Sequence, residues 1–167
     1  EGFGFIPVTC FSQALTTFIG QNLGAKEYDR TKKGALFGTI CGIGIAEVIG
    51  IAVFFFSPYL IAAFGGDQKA IEYGIAEAHT IAFFYCLLAF SHCMAAIQRG
   101  AGRSIVPIFV MMLVWCGVRV TYISIVIRII PVINVIYWAY PLTWFISSVI
   151  FLILFLKTDW IHGLEKQ

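Results

Sequence analysis

Charge is scarce in this chain. Asp, Glu, Lys and Arg make up 12% of its 167 residues, against about a quarter in soluble domains. A soluble globule of this length could not hide the accompanying 60% of hydrophobic residues, because much of any globule's area stays in water. The shortage excludes a soluble domain and places the chain in a bilayer. The formal charge is only +2, with its cations scattered among loops, so no nucleic-acid partner is expected. Pairable cysteines are missing too. Cys10, Cys41, Cys86, Cys93 and Cys116 are odd in number, lack paired spacing and fall inside apolar runs. They read as small hydrophobes, with neither a disulfide framework nor a structural zinc site.

Catalytic constellations are also absent. G-Q-N-L-G-A, residues 20–25, lacks the lysine and the serine or threonine of a Walker loop. His79 and His92 stand thirteen positions apart, about 1300° around a helix, so they face nearly opposite sides and cannot share a metal. No enzyme, metal or organic cofactor is expected. No signal peptide marks the start, and the chain opens on Glu1-Gly2-Phe3 without methionine. That opening reads as part of something longer.

What remains is a succession of apolar runs. A bilayer core about 30 Å thick takes about 20 helical residues. Breaks between the runs give full-length candidates at 35–56, 76–97, 105–127 and 135–156, and a more polar fifth at 3–23. Helix is forced, since lipid offers no partner to an open strand edge. The expected fold is an all-α polytopic membrane protein, one partial domain over 1–167 with a tail at 157–167.

The connections alternate in charge. Lys26, Arg30, Lys32 and Lys33 separate the first two runs, Arg99 and Arg103 follow the third, and Lys157 and Lys166 lie in the tail. The other two connections offer only Lys69 and Arg128. Lys and Arg collect on the cytoplasmic side. Lys26, Arg30, Lys32, Lys33, Arg99 and Arg103 therefore read as topology anchors, with the carboxyl tail in the cytoplasm of a plasma-membrane protein. Tyr137, Trp138, Tyr140 and Trp144 read as an aromatic belt at the outer interface. Pro141 is expected to kink the last helix, and Asp67 to cap a short outer helix.

Two charges sit deep, where each costs on the order of 3 kcal/mol. Glu47 lies thirteen residues past Gly34 and Arg119 fourteen past Ile105, about 20 and 21 Å into the membrane by helical rise. Either the two pair, or Arg119 snorkels outward towards Arg128 and Glu47 stays protonated or faces water alone. His92, beside Cys93, is either a titrating group or an interhelical hydrogen-bond partner. In the first helix Thr9, Ser12, Gln13, Thr16 and Thr17 make one side polar. That side borders a wet cavity or bonds to neighbouring helices. Gln13, Thr16, Thr17, Glu47, His92 and Arg119 are the candidates for a substrate or ion pathway. Gly34, Gly38, Gly42, Ala46 and Gly50 recur every four residues, a stripe for tight helix contact or for sliding.

Several stretches resemble one family. T-F-I-G-Q-N-L-G-A-K-E-Y-D-R-T-K-K-G (17–34) is similar to the segment after the second helix of each half of a MATE (multidrug and toxic compound extrusion) transporter. Q-R-G-A-G-R-S-I-V-P (98–107) is similar to that family's R-G-x-G-x-x-x-x-P turn. W-C-G-V-R-V (115–120) and Y-P-L-T-W (140–144) look like its last two helices. The resemblance implies twelve helices in two six-helix lobes, of which this chain supplies helices eight to twelve. The amino-terminal lobe is then the missing partner. It also implies export of small cationic organic substrates by alternating access, coupled to H+ or Na+. One departure matters: helix ten of many members carries an embedded acid, and 76–97 has none beyond Glu77 at its rim. Coupling here would fall to the absent lobe, to Glu47 or to His92. The alternatives are a lipid-linked sugar flippase of the related superfamily, or a non-transporting membrane scaffold or signalling subunit in which Glu47 and Arg119 merely fix helix packing; membrane lipid is an expected partner in every case.

Overall fold

The computed structural model describes residues 2–63, 65–130 and 132–161, with side chains from residue 5 onward; Lys166 lies outside them. Its helices are α1 (Gly2–Gly24), α2 (Tyr28–Ala63), α3 (Gln68–Ala82), α4 (Tyr85–Gly100), α5 (Ile105–Met111), α6 (Arg119–Ile129) and α7 (Asn134–Lys157). A π-helical turn, Met112–Val118, joins α5 to α6 in one rod. Tyr28–Ala63, Ile105–Ile129 and Asn134–Lys157 are long and apolar enough to cross a membrane, and α3 with α4 makes a fourth span if taken as one.

Two expectations need correcting. The second helix starts at Tyr28 and not near residue 35. The charged stretch winds into its first turns, where Asp29 favours the positive end of the helix dipole. The third span, expected as one helix over 76–97, is broken after Ala82 and bent by 59°. Asp67 does stand at the N-cap of α3 with extended backbone, but its side chain makes no capping bond.

α4 is the axis of the bundle. From Ser91 to Gln98 each of its residues is buried, as expected of a helix surrounded on all sides. Its small side chains, Ala89, Ser91, Cys93, Ala95 and Ala96, let α1, α2 and α7 close in around it. The outer faces are the reverse of a soluble protein: Leu36, Phe37, Val48, Ile51, Phe109, Leu113 and Leu156 are all exposed. Lipid, not water, suits such a surface.

The basic anchors gather at one end of the bundle. Leu23, Ala35, Ile97, Ala101 and Trp160 share one cluster there, with Tyr28 and Ile161 packed against it. The Arg103 guanidinium donates to the Asp159 carbonyl at 2.8 Å, joining the start of α5 to the end of α7. Lys26 occupies the left-handed region, φ 60°, just past α1. There the Glu27 amide bonds back to Asn22 at 2.9 Å, a helix stop usually given to glycine.

The small-residue stripe of α2 is a packing surface. A methyl at Gly34 would strike the Phe18 ring, at Gly38 it would lie 2.7 Å from Leu15, and at Gly42 2.7 Å from Cys93. At Gly50 it would lie 2.5 Å from the backbone oxygen of Ala82, which cannot rotate away. Gly50→Ala should therefore destabilise the protein by about 1–3 kcal/mol. Gly44→Ala, with nothing within 4 Å, should be neutral or slightly stabilising. Thermal midpoints in detergent check this; equal midpoints for the two variants would refute the contact.

Candidate functional site

The break between α3 and α4 leaves backbone groups without helical partners inside the membrane, where each costs several kcal/mol if unpaired. The chain stitches most of them locally. The Phe84 amide donates to Ile81 at 2.9 Å, and the Leu87 and Leu88 amides donate to Phe84. The Cys86 amide takes a different partner, the Glu47 carboxylate of α2, at 2.9 Å. An anion at a helix N-terminus gains from both the hydrogen bond and the dipole. Glu47 thus answers the backbone of a neighbouring helix.

The Glu47–Arg119 pairing is not what the structure shows. Among the described residues no ion pair joins the two. α2 packs on α1, α3 and α4, whereas α6 packs on α7 and on the π turn. Arg119 also does not reach for Arg128. Its Nη2 donates to the Thr143 hydroxyl at 2.7 Å, and its Cζ lies 4.3 Å from the Tyr140 ring centre and 5.6 Å from that of Trp115. Thr143 is fully buried and bonds in turn to the carbonyls of Ala139 and Tyr140 at 3.0 Å.

Arg119 borders a cavity of about 310 Å³ lined also by Phe5, Ile81, Tyr85, Leu88, Trp115, Tyr140 and Trp144. The volume stands at the lower end for small-molecule pockets. The belt reading therefore fails for three of four aromatics: Trp138 faces outward, but Tyr140 and Trp144 turn into the cavity, and Tyr137 is buried. A hydroxyl seam fixes this wall. Ser91 shares hydrogen bonds with Ser147 and Ser148, both 2.9 Å long. Ser148 donates to the Leu87 carbonyl, and the Trp115 indole N–H reaches Ser147 at 3.4 Å. The π turn ends immediately before Arg119; such turns recur at functional sites.

Arg119 is the one charged side chain among the described residues lining the cavity.

The remaining candidates separate. His92 is buried, edge-on to two residues of the cavity lining, Phe5 at 5.1 Å and Trp115 at 5.5 Å, and its Nε2 has no hydrogen-bond partner among the described residues. The hydroxyls of Thr9, Ser12, Thr16 and Thr17 bond to carbonyls of their own helix, three or four residues back. Neither neighbouring helices nor a cavity satisfies them. Gln13 and Thr17 are exposed, whereas Ser12 is buried. Lys26, Arg30, Lys32 and Lys33 are exposed and Arg99 and Arg103 half-buried. Glu47 lines a second, smaller cavity of about 160 Å³ with Gly50, Phe54, Ala82 and Phe83 among others. Tyr85, Thr143 and the three serines were not read from the sequence as site residues. The signal was the single polar face formed by Thr143, Ser147 and Ser148 within an apolar helix.

A bundle of long apolar helices with a broken span, a carboxylate within a membrane-length helix and an aromatic cavity is an all-α membrane protein. The MatE family model matches residues 1–123, a stretch holding Glu47, His92, Trp115 and Arg119. This chain belongs to the MatE family and is a multi-pass membrane protein. Over 110 residues, 66% of its length, it is 27% identical to the probable multidrug resistance protein NorM of Thermotoga maritima. The matched stretch covers 24% of that relative, so the chain spans about a quarter of it.

Glu47→Ala should strand the Cys86 amide and cost about 1–3 kcal/mol, whereas Glu47→Gln keeps an acceptor and should cost less. A double reversal, Glu47→Arg with Arg119→Glu, should be no more stable than the worse single reversal. Thermal unfolding in detergent reads both; rescue by the double reversal would restore the ion pair.

Proposed function

We propose that this chain forms helices eight to twelve of a two-lobed exporter of amphipathic organic xenobiotics, cationic ones included, driven by inward flow of H+ or Na+ through alternating access. The basic end of the bundle and the carboxyl terminus face the cytoplasm of the plasma membrane, and an amino-terminal lobe completes the pathway. The whole protein acts as a transporter, not an enzyme.

One observation carries this reading: the α3–α4 break lies between the two cavities. Ile81, Tyr85 and Leu88 face the aromatic cavity, while Ala82 and Phe83 face the cavity of Glu47. The amide held by Glu47 belongs to Cys86, the residue next to Tyr85. A proton or a cation arriving at the carboxylate weakens its grip on that amide, because a charge-assisted hydrogen bond is about twice as strong as a neutral one. The bend then loosens, and Tyr85 moves with it. An ion on one side of the break thereby changes the shape of the substrate cavity on the other, the two-state element that coupling requires. His92 lies further along α4 and is held by rings alone, which makes it the weaker coupling candidate.

The test is transport by the full-length protein carrying this chain, reconstituted in liposomes. Uptake of a fluorescent organic cation should follow an imposed pH or sodium gradient. Glu47→Gln should lower gradient-driven flux at least tenfold while leaving downhill exchange within about threefold. Wild-type vesicles that move no organic cation under either gradient would refute the exporter reading and favour the flippase or the scaffold. Full coupling in Glu47→Gln would remove Glu47 from the mechanism.

A further inference from the structure

We infer that the groove between α2, α4 and α7 at the basic end of the bundle binds an anionic phospholipid, with an acyl chain lying in the groove and the phosphate on Lys32. The site requires that the chain lie in a bilayer, and its test is independent of transport.

Helical spacing builds the groove. Lys32, Ala35, Leu36 and Thr39 fall on one face of α2, and Phe90, Met94 and Ile97 on one face of α4. Leu152 and Phe155 of α7 form the other wall, and Trp160 stands at the mouth, stacked on Phe155 at 5.2 Å. The space between them is about 490 Å³, larger than the aromatic cavity. From Lys32 to Thr39 the helix rises about 10 Å, about two-thirds of one leaflet of a core about 30 Å thick. The Thr39 hydroxyl is spent on the Ala35 carbonyl at 2.8 Å, so the deep end offers no free donor. Hydrocarbon suits that interior.

Position favours lipid over protein as the occupant. At 100° per residue, Phe90, Met94 and Ile97 lie on the side of α4 opposite Tyr85 and Leu88, which line the aromatic cavity. The groove is thus turned away from the face where an amino-terminal lobe would complete the pathway. Its rims, Leu36 and Leu152, are exposed hydrophobics, like the outer faces that suit lipid.

Charge selects the kind of lipid. Residues 26–33, 99–103 and 157–159, at this end of the bundle, hold seven cations and three acids. Residues 65–79 and 128–134, at the other end, hold two cations and three acids. Lys32 is the charged residue of the groove itself, exposed and in no ion pair among the described residues. Glu27 and Asp29 border a separate depression with Arg30 and Lys33. A lysine so placed lays its stem along apolar surface and keeps its ammonium at headgroup level. One such cation favours an anionic headgroup by about fivefold.

Photolabelling of the full-length protein carrying this chain, purified in detergent, tests the site. The probe is phosphatidylglycerol with a diazirine in one acyl chain, and labelled peptides are located by mass spectrometry. Label should concentrate on 32–39, 90–97 and 152–161, about fivefold or more above the lipid-exposed stretch 105–113. Unlabelled phosphatidylglycerol should compete about fivefold better than phosphatidylcholine with the same chains. Lys32→Gln should bring that ratio to about one, whereas Lys69→Gln at the other end should leave it unchanged. Leu152→Trp should cut groove labelling about threefold or more by filling the space. These three positions are exposed, so the variants should fold. Even labelling of every lipid-facing stretch overturns the site, and so does a groove left unlabelled, because protein then covers it. Equal competition by the two lipids, or an unchanged ratio in Lys32→Gln, overturns the anionic headgroup on Lys32.

Discussion

Inside a bilayer every backbone polar group must find a partner in the protein, and the break between α3 and α4 concentrates that demand in a few residues. Three amides at the break fold back onto nearby carbonyls. A fourth is met by Glu47 from another helix. The bend, the packing of α2 on it and the position of the carboxylate all follow from this one bond. Gly50, one turn from Glu47 on α2, has to be glycine so that the Ala82 carbonyl can come within its reach. Without that approach the carboxylate would stop short of the Cys86 amide.

Much of the architecture was legible in the sequence because the bilayer imposes a simple rule. Long apolar runs became helices, and the cations between them gathered at one end. What the runs conceal is where a helix breaks. I-A-F-F-Y-C-L-L, residues 81–88, contains no glycine or proline and reads as uniform oil, yet it holds the 59° bend. Its only signature is an acid 39 positions away. The π turn, residues 112–118, holds one glycine, Gly117, and no proline.

The site was legible in its charges and not in its partners. Counting residues along a helix gives depth but not direction, so Glu47 and Arg119 matched in depth while belonging to different neighbourhoods. Tyr140 and Trp144 were read as interfacial because hydropathy gives ring residues to the interface. Their spacing with Thr143, Ser147 and Ser148 puts them on one helix face, away from Trp138. A polar strip inside an apolar helix is a sign of an inward face, whatever aromatics accompany it.

The separation of the two charges has a mechanical consequence. Burial of Arg119 costs about 3 kcal/mol on insertion scales. A hydrogen bond to a charged group recovers about 1.5–3 kcal/mol, and a desolvated cation–π contact about 2. Arg119 is therefore held where it stands without Glu47. Glu47 is likewise held by an amide and a helix dipole, with no cation paired to it among the described residues. Had they formed an ion pair, neutralising Glu47 would have left a buried guanidinium unpaired at a cost of several kcal/mol, and an ion arriving at the acid would have opposed the fold. With each charge balanced locally, the carboxylate can change its state while the guanidinium keeps its place over Tyr140. That independence follows from the packing, since α2 rests on α1, α3 and α4 while α6 rests on α7 and the π turn.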